Sequence, residues 1–439
     1  MNTLVSVREY ARLTTEPCDA SLDRAQVSVS AFDHLCRLNE SFSRGGARLL
    51  QVDGRRWLRL DNYVGVLQTP CGTTLEILPK HQDHGDSLTS CRALLRRMIQ
   101  SMLDLPTRDA GEAQLERFDA PLTEWVMGRF LAELDRILKR GIRFDYQRVE
   151  EERPFLRGQL NVFAQLRQPP GRAHHFQVRH DVFVPDRPEN RLLKLALESI
   201  RLATQHPDNW RLAQEISFRL AEVPASTRIE DDFRAWGTDS LMVHYRAIKP
   251  WCELILNRSL PLALLGTHSG LSLLFPMERL FEQHVTRWLR RQLPSDVRLR
   301  APASSLSLCT HDGKPIFQLK PDLLVEAGPK RWILDAKWKR LDSADRDNKY
   351  GLSQSDFYQL HAYGMKYLQG RGNMALVYPR TTLFSEPLVP FHFDENLMLS
   401  VLPFDLDEDQ LLGSDLISLP RHGKPTQGPK ESMAAFGAV

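Results

Sequence analysis

Several features that would settle the class of a protein at once are missing from this sequence. Its six cysteines, Cys18, Cys36, Cys71, Cys91, Cys252 and Cys309, are scattered with no C-x-x-C pair. A zinc ribbon or a disulfide framework is therefore not expected, and reduced thiols in a cytoplasm are. No run approaches the roughly 18 apolar residues of a membrane span, and Arg8, Glu9 and Arg12 interrupt any apolar core of a secretory leader. The expectation is a soluble, cytoplasmic protein with no membrane partner. Charge of one sign is also lacking, since 58 Lys and Arg stand against 55 Asp and Glu, a formal net of +3. Any contact with nucleic acid must then come from local basic patches.

Motifs are missing too. The P-loop pattern G-x-x-x-x-G-K-[ST] does not occur; Gly313-Lys314 and Gly423-Lys424 are each followed by proline. The chain should hold no nucleotide through a P-loop. There is no G-x-S-x-G, and no Ser, His and Asp arrangement stands out along the sequence. His81-Gln82-Asp83-His84 reads as a solvated loop rather than a metal site.

What is present is a chain of 439 residues, 42% of them hydrophobic, enough for two or three domains with sizeable cores. Residues 1–88 look β-rich, with short strand signals at 47–52, 57–60, 64–67 and 74–78 separated by Gly-bearing turns. Residues 89–265 look mostly helical. The spacing predicts helices over 91–103, 124–140, 188–205, 208–222 and 251–264, and Ile142, Phe144 and Tyr146 alternate as in a strand. Residues 266–420 predict a helix over 277–293, strands at 297–299, 316–326 and 331–337, a helix over 353–368 and a strand at 373–378. That order indicates a compact α/β layer structure. Residues 421–439, rich in Gly and Pro, predict a flexible tail.

The informative stretch is Lys320-Pro321-Asp322 followed by Leu334-Asp335-Ala336-Lys337. On a strand, Asp335 and Lys337 project together while Leu334 and Ala336 point away. A strand carrying Trp332, Ile333 and Leu334 should be central, where a carboxylate and an ammonium on one face need a reason. Asp322, at the start of the neighbouring strand, adds a second carboxylate. Two hard oxygen ligands for Mg²⁺ beside a lysine suit phosphodiester hydrolysis. The bland alternative is an exposed ion pair on an edge strand, worth little. Asp322, Asp335 and Lys337 form a PD…(D/E)xK pattern, and neither Pro185-Asp186 nor Pro207-Asp208 is followed closely by [DE]-x-K. Downstream, Gln359 and Tyr363 are four apart and share one helix face. That Q-x-x-x-Y spacing is similar to the one following the core in RecB-like nucleases. Glu282 lies on the preceding helix, where such folds often place another carboxylate. Of the basic clusters, Arg290-Arg291 and Lys337 to Arg340 are candidates for DNA phosphate contacts.

Beyond the nuclease motif, the chain resembles the McrC family, the nuclease subunits of McrBC-type modification-dependent (type IV) restriction systems. The likeness is carried by Val64 to Thr69, Leu75 to Lys80, Leu94 to Met98 and Pro188 to Leu193. The resemblance implies an α+β multidomain protein with a C-terminal α/β PD-(D/E)xK restriction-endonuclease-like domain. It implies cleavage of modified (methylated) double-stranded DNA with Mg²⁺ in phage defence. It also implies a partner, a McrB-like AAA+ GTPase ring on which the N-terminal region docks and whose GTPase it stimulates. Asp322, Asp335 and Lys337 match the catalytic motif, with Asp322 and Asp335 as metal ligands; Glu282, Gln359 and Tyr363 are carried over more loosely, Glu282 as a further metal ligand. Two rivals stay open: a non-catalytic adaptor that activates a ring NTPase, and a RecB-like repair exonuclease.

Overall fold

The computed structural model describes residues 3–44, 48–54, 56–81, 87–103, 121–172, 174–237, 239–256, 272–303 and 306–421. The loop expected over 82–86, the second half of the helix expected over 251–264, the boundary near residue 266 and all but the first residue of the tail lie outside these. Contacts divide the chain into two interleaved units, one of residues 1–3, 66–75 and 110–274, the other of residues 4–65, 76–109 and 275–439.

The first unit is helical with one ribbon-like sheet. Helix Leu122–Arg140 buries Val126, Phe130, Leu131, Leu134 and Ile137 along one stripe, the spacing expected of an amphipathic helix. It ends where Gly141 adopts φ +93°, with Lys139 and Arg140 in the last turn. Pro188 and Pro207 open the helices Pro188–Ala203 and Pro207–Arg219, where a missing N–H costs nothing. The sheet runs in the order Asp145–Arg153, Phe176–Val184, Gln159–Leu160. The strand expected around residues 142–146 in fact begins at Asp145 and runs to Arg153, and its two partners were not expected at all. Their charged residues, such as Arg148, Glu150 and Arg179, mask the apolar alternation that betrays a strand.

In the second unit, a sheet ordered Arg24–Gln26, Arg12–Thr14, Trp57–Leu60, Leu50–Asp53 accompanies helix Val29–Arg44. That helix lies within the region expected to be β-rich, and it buries Ala31, Leu35 and Leu38 at helical spacing. Strand Thr3–Arg8 pairs with Thr73–Leu78.

The C-terminal segment of this unit carries the candidate site, and its elements are numbered from its first helix. They are α1 (Met277–Gln292), β1 (Arg298–Arg300), β2 (Leu306–His311), β3 (Lys314–Leu319), β4 (Leu323–Ala327), β5 (Lys330–Ala336), α2 (Gln354–Tyr367), β6 (Gly372–Pro379), β7 (Phe391–His392), β8 (Leu397–Asp405) and β9 (Gln410–Leu411). The sheet runs β1-β4-β5-β6-β8-β7, with β9 also on β8. β4 and β5 are antiparallel, whereas β5, β6 and β8 are mutually parallel, with α2 connecting β5 to β6. Leu360, Tyr363 and Tyr367 of α2 pack on Ile333, Met374, Leu376 and Val401. On α1, Phe281 and Trp288 meet Phe404 of β8 edge-on.

One expectation is corrected here. The strand read over 316–326 is two: β3 pairs with β2 in a separate hairpin, and β4 joins the main sheet. Pro321, which has no N–H to give a ladder, stands at the break. Asp322 therefore sits just ahead of β4, on the turn that enters the sheet.

Candidate functional site

β5 is an internal strand, flanked by β4 and β6, so the edge-strand ion pair is not what this protein contains. Leu323 of β4 faces Leu334 of β5, which brings Asp322 and Asp335 to the same end of adjacent strands. Lys337 continues the β6 pairing one residue past the strand, its N–H donating to Val377 O at 2.9 Å. Alternation then sets the Asp335 and Lys337 side chains on the same side.

The resulting group is tight and under-satisfied. Asp335 is fully buried, and Lys337 Nζ lies 2.7 Å from its Oδ2. Even so, neither carboxylate oxygen has a partner of hydrogen-bond geometry among the described residues. A buried carboxylate left in that condition costs free energy. Asp322 Oδ2 accepts the Ala336 N–H at 2.9 Å, which fixes the turn against β5.

Electrostatics point the same way. Burial, then the charge of Asp335, then that of Glu282, push the Asp322 carboxyl above its ordinary value. Asp335 is raised by burial against the pull of Lys337. Glu282 on α1 is raised by burial and by Asp335, so it shares the field of the pair. Burial works against the Lys337 ammonium, but Asp335 outweighs it and the pKa is raised. The site is thus an excess of buried negative charge with one fixed cation.

Gln359 and Tyr363 are brought together as expected. Gln359 Nε2 donates to Tyr363 Oη at 2.6 Å, and Tyr363 Oη donates to Lys320 O at 3.0 Å. Tyr363 therefore braces the Lys320-Pro321-Asp322 turn from α2, leaving Gln359 exposed. Sequence reasoning missed Asp356. It lies in the first turn of α2, accepts from Tyr378 Oη at 3.4 Å, and its charge raises Asp335 and supports Lys337. Its spacing ahead of Gln359 and Tyr363, three and seven residues, is the signal that could have found it.

Also missed was a relay of Ser101, His284 and Asp409. The His284 ring, almost fully buried, lies 2.9 Å from Ser101 Oγ through Nδ1 and 2.7 Å from Asp409 Oδ1 through Nε2. These residues span three hundred positions, so no local pattern announces them. Both ring nitrogens are engaged, which ties α1 to helix Leu88–Met102 and to the turn after β8.

As for a metal, no group of three or more His, Cys, Asp or Glu side chains is arranged to hold one among the described residues. What the site offers is the carboxylate pair Asp322 and Asp335, with Glu282 in their field. Mg²⁺ is commonly held by one or two carboxylates, with waters and substrate phosphates completing its shell. The orphaned oxygens of Asp335 fit that demand. No helix among the described residues is long and apolar enough to cross a membrane.

Comparison with curated proteins finds no match. Among solved structures, the fold is similar to a chain in a half-complex of Thermococcus gammatolerans McrB AAA+ hexamers with bound McrC. The TM-score is 0.70 at 19% identity, over 92% of this chain and 95% of that one. It is also similar to a chain of the Thermococcus gammatolerans McrBC complex, with a TM-score of 0.52 at 20% identity, over 66% of this chain and 88% of that one. At these identities the likeness is one of fold. A family model described as McrBC 5-methylcytosine restriction system component matches residues 58–379, most of the chain, and on that match the chain belongs to this family.

Proposed function

We propose that this chain is the Mg²⁺-dependent DNA endonuclease subunit of a McrBC-type restriction complex. In this reading it cuts modified double-stranded DNA and stimulates the GTPase of a McrB-like AAA+ ring. Residues 266–420 are its PD-(D/E)xK nuclease domain, residues 89–265 a middle region, and residues 1–88 contribute to partner docking. The observation that carries the chemistry is the buried Asp335 carboxylate on an internal strand, ion-paired with Lys337 at 2.7 Å but without a hydrogen bond among the described residues, and Asp322 alongside. The partner is supported by membership of the family and by the likeness to structures that pair McrC with McrB hexamers.

Each residue has a task that follows from its surroundings. Asp322 and Asp335 would hold Mg²⁺, and the ion would neutralise phosphate charge and acidify a water molecule. Glu282 adds negative charge at the same end of the site. Lys337, kept protonated by Asp335, serves as a cation for the charge that builds on the phosphoryl group rather than as a proton acceptor. Tyr363 holds the Asp322 turn in register, and Gln359, exposed and anchored through Nε2 to Tyr363 Oη, meets the DNA backbone.

The test is cleavage of methylated and unmethylated plasmid DNA with Mg²⁺, with and without the McrB-like partner and GTP. Cutting of methylated DNA only with partner and GTP is the expected result. Accelerated GTP hydrolysis without cutting under any condition would replace the nuclease by an adaptor. Cutting that needs free DNA ends and no GTP would replace it by a repair exonuclease.

A further inference from the structure

Glu9 is a buried carboxylate that the proposed chemistry does not use. It follows strand Thr3–Arg8 and is fully enclosed. Its Oε1 accepts two hydrogen bonds, from the Lys80 N–H at 2.9 Å and from the Trp338 indole Nε1–H at 2.9 Å. Its Oε2 has no hydrogen-bond partner among the described residues. The Trp338 ring, buried in turn, packs at 5.4 Å and 58° against Phe281. Trp338 directly follows Lys337, and Phe281 directly precedes Glu282. The indole that follows Lys337 thus packs on the ring that precedes Glu282 on α1, and one carboxylate fixes that indole.

We infer that Glu9 is a positioning residue of the nuclease site: through Trp338 it holds the Lys337 end of β5 and the Glu282 turn of α1 in their working relation. The inference rests on the nuclease reading and adds the N-terminal strand to its apparatus. Retaining an acid at such a cost has few other reasons. Burial pushes Glu9 up to about 7, against the opposing pull of the Lys80 N–H, the Trp338 indole and the charges of Lys80 and Arg340. An apolar side chain of the same shape would avoid that cost but leave the Trp338 N–H buried without an acceptor.

The role separates from simple stability by its kinetics and by rescue. In the complex with partner and GTP, Glu9→Ala should lower kcat for DNA cleavage about tenfold, the scale of a small misplacement in a catalytic constellation. KM for DNA and stimulation of the partner's GTPase should be unchanged. Glu9→Gln keeps the acceptor and should restore most of kcat. Trp338→Phe keeps the ring against Phe281 and loses the donor, so it should match Glu9→Ala, and the double variant should be no worse than either. Hydrogen exchange of the Trp338 indole N–H, followed by NMR on the full chain, should be slow in wild type and fast in Glu9→Ala. Wild-type kcat in Glu9→Ala overturns the proposal, as does parallel loss of cleavage and GTPase stimulation. A wild type that cuts nothing removes the nuclease reading and this role with it, while the indole exchange still reports whether the tie exists.

Discussion

Asp335 is the residue where stability and activity part. Its buried carboxylate has an ion pair with Lys337 but no hydrogen bond among the described residues, so in the absence of a cation it should weaken the fold. Lys337 is about a third exposed along its side chain and can hydrate its ammonium if the partner is neutral. Asp335→Asn is therefore expected to raise the melting temperature without metal, by about 1 kcal/mol of stability, while abolishing cleavage. Adding Mg²⁺ should stabilise wild type and leave the variant unmoved. Thermal unfolding with and without Mg²⁺ reads both, and an Asn variant that melts well below wild type would contradict the account.

Glu9 gives a second test at the same scale. Its folded pKa, about 7, lies above its ordinary value near 4.5. Its contribution to stability is then complete below about pH 4.5 and lost as pH rises through 7. Glu9→Gln has no such loss. The variant should gain on wild type across that window, by on the order of 3 kcal/mol, and no further above it; denaturant unfolding at a series of pH values measures the difference. Of the surrounding groups, Tyr10 is raised by burial and Asp23 lowered by its bond to Arg8, so neither titrates through the window. Asp322, Asp335 and Lys337 could be read from the sequence because strand alternation and a short loop place them together. Glu9 and the Ser101, His284 and Asp409 relay could not, since only the folded chain brings residues hundreds of positions apart into contact.

Among the elements, α2 fits closely against the sheet at Gly364. A Cβ on Gly364 would come within 2.8 and 2.9 Å of the two Leu397 methyls and 3.0 Å of the Met374 sulfur, in the core between α2 and the sheet. Gly364→Ala should cost about 1–3 kcal/mol through overpacking. Because Tyr363 is the preceding residue and braces Lys320, the displaced helix should also slow cleavage. Denaturant unfolding and single-turnover rates would show both; a variant as stable and as active as wild type would mean that α2 is not seated as described. Helices α1 and α2 were legible because their apolar stripes are long and regular. β8 was not, because Leu397 to Leu402 is a short apolar run that periodicity alone cannot assign to strand or helix. Pro321 divides residues 316–326 into a hairpin strand and a sheet strand, and so sets where Asp322 stands.

For the whole molecule, the sequence offered a near-neutral chain without a P-loop and with a PD…(D/E)xK pattern in its C-terminal third. Its membership of the McrBC component family agrees with the proposed reading, in which nucleotide chemistry and phosphodiester chemistry would lie on different chains. The division into a helical unit and a sheet-bearing unit was less legible, because each unit is assembled from segments that the chain interleaves. Residues 4–65 and 275–439 belong to the same unit, within which Glu9 accepts from the Trp338 indole. The most direct measurement compares DNA cleavage by wild type and Asp335→Ala, both with Mg²⁺, the McrB-like partner and GTP, and with GTP hydrolysis followed in the same tubes. The account predicts cutting by wild type alone, with equal GTPase stimulation by both. Cutting by Asp335→Ala at the wild-type rate would contradict it.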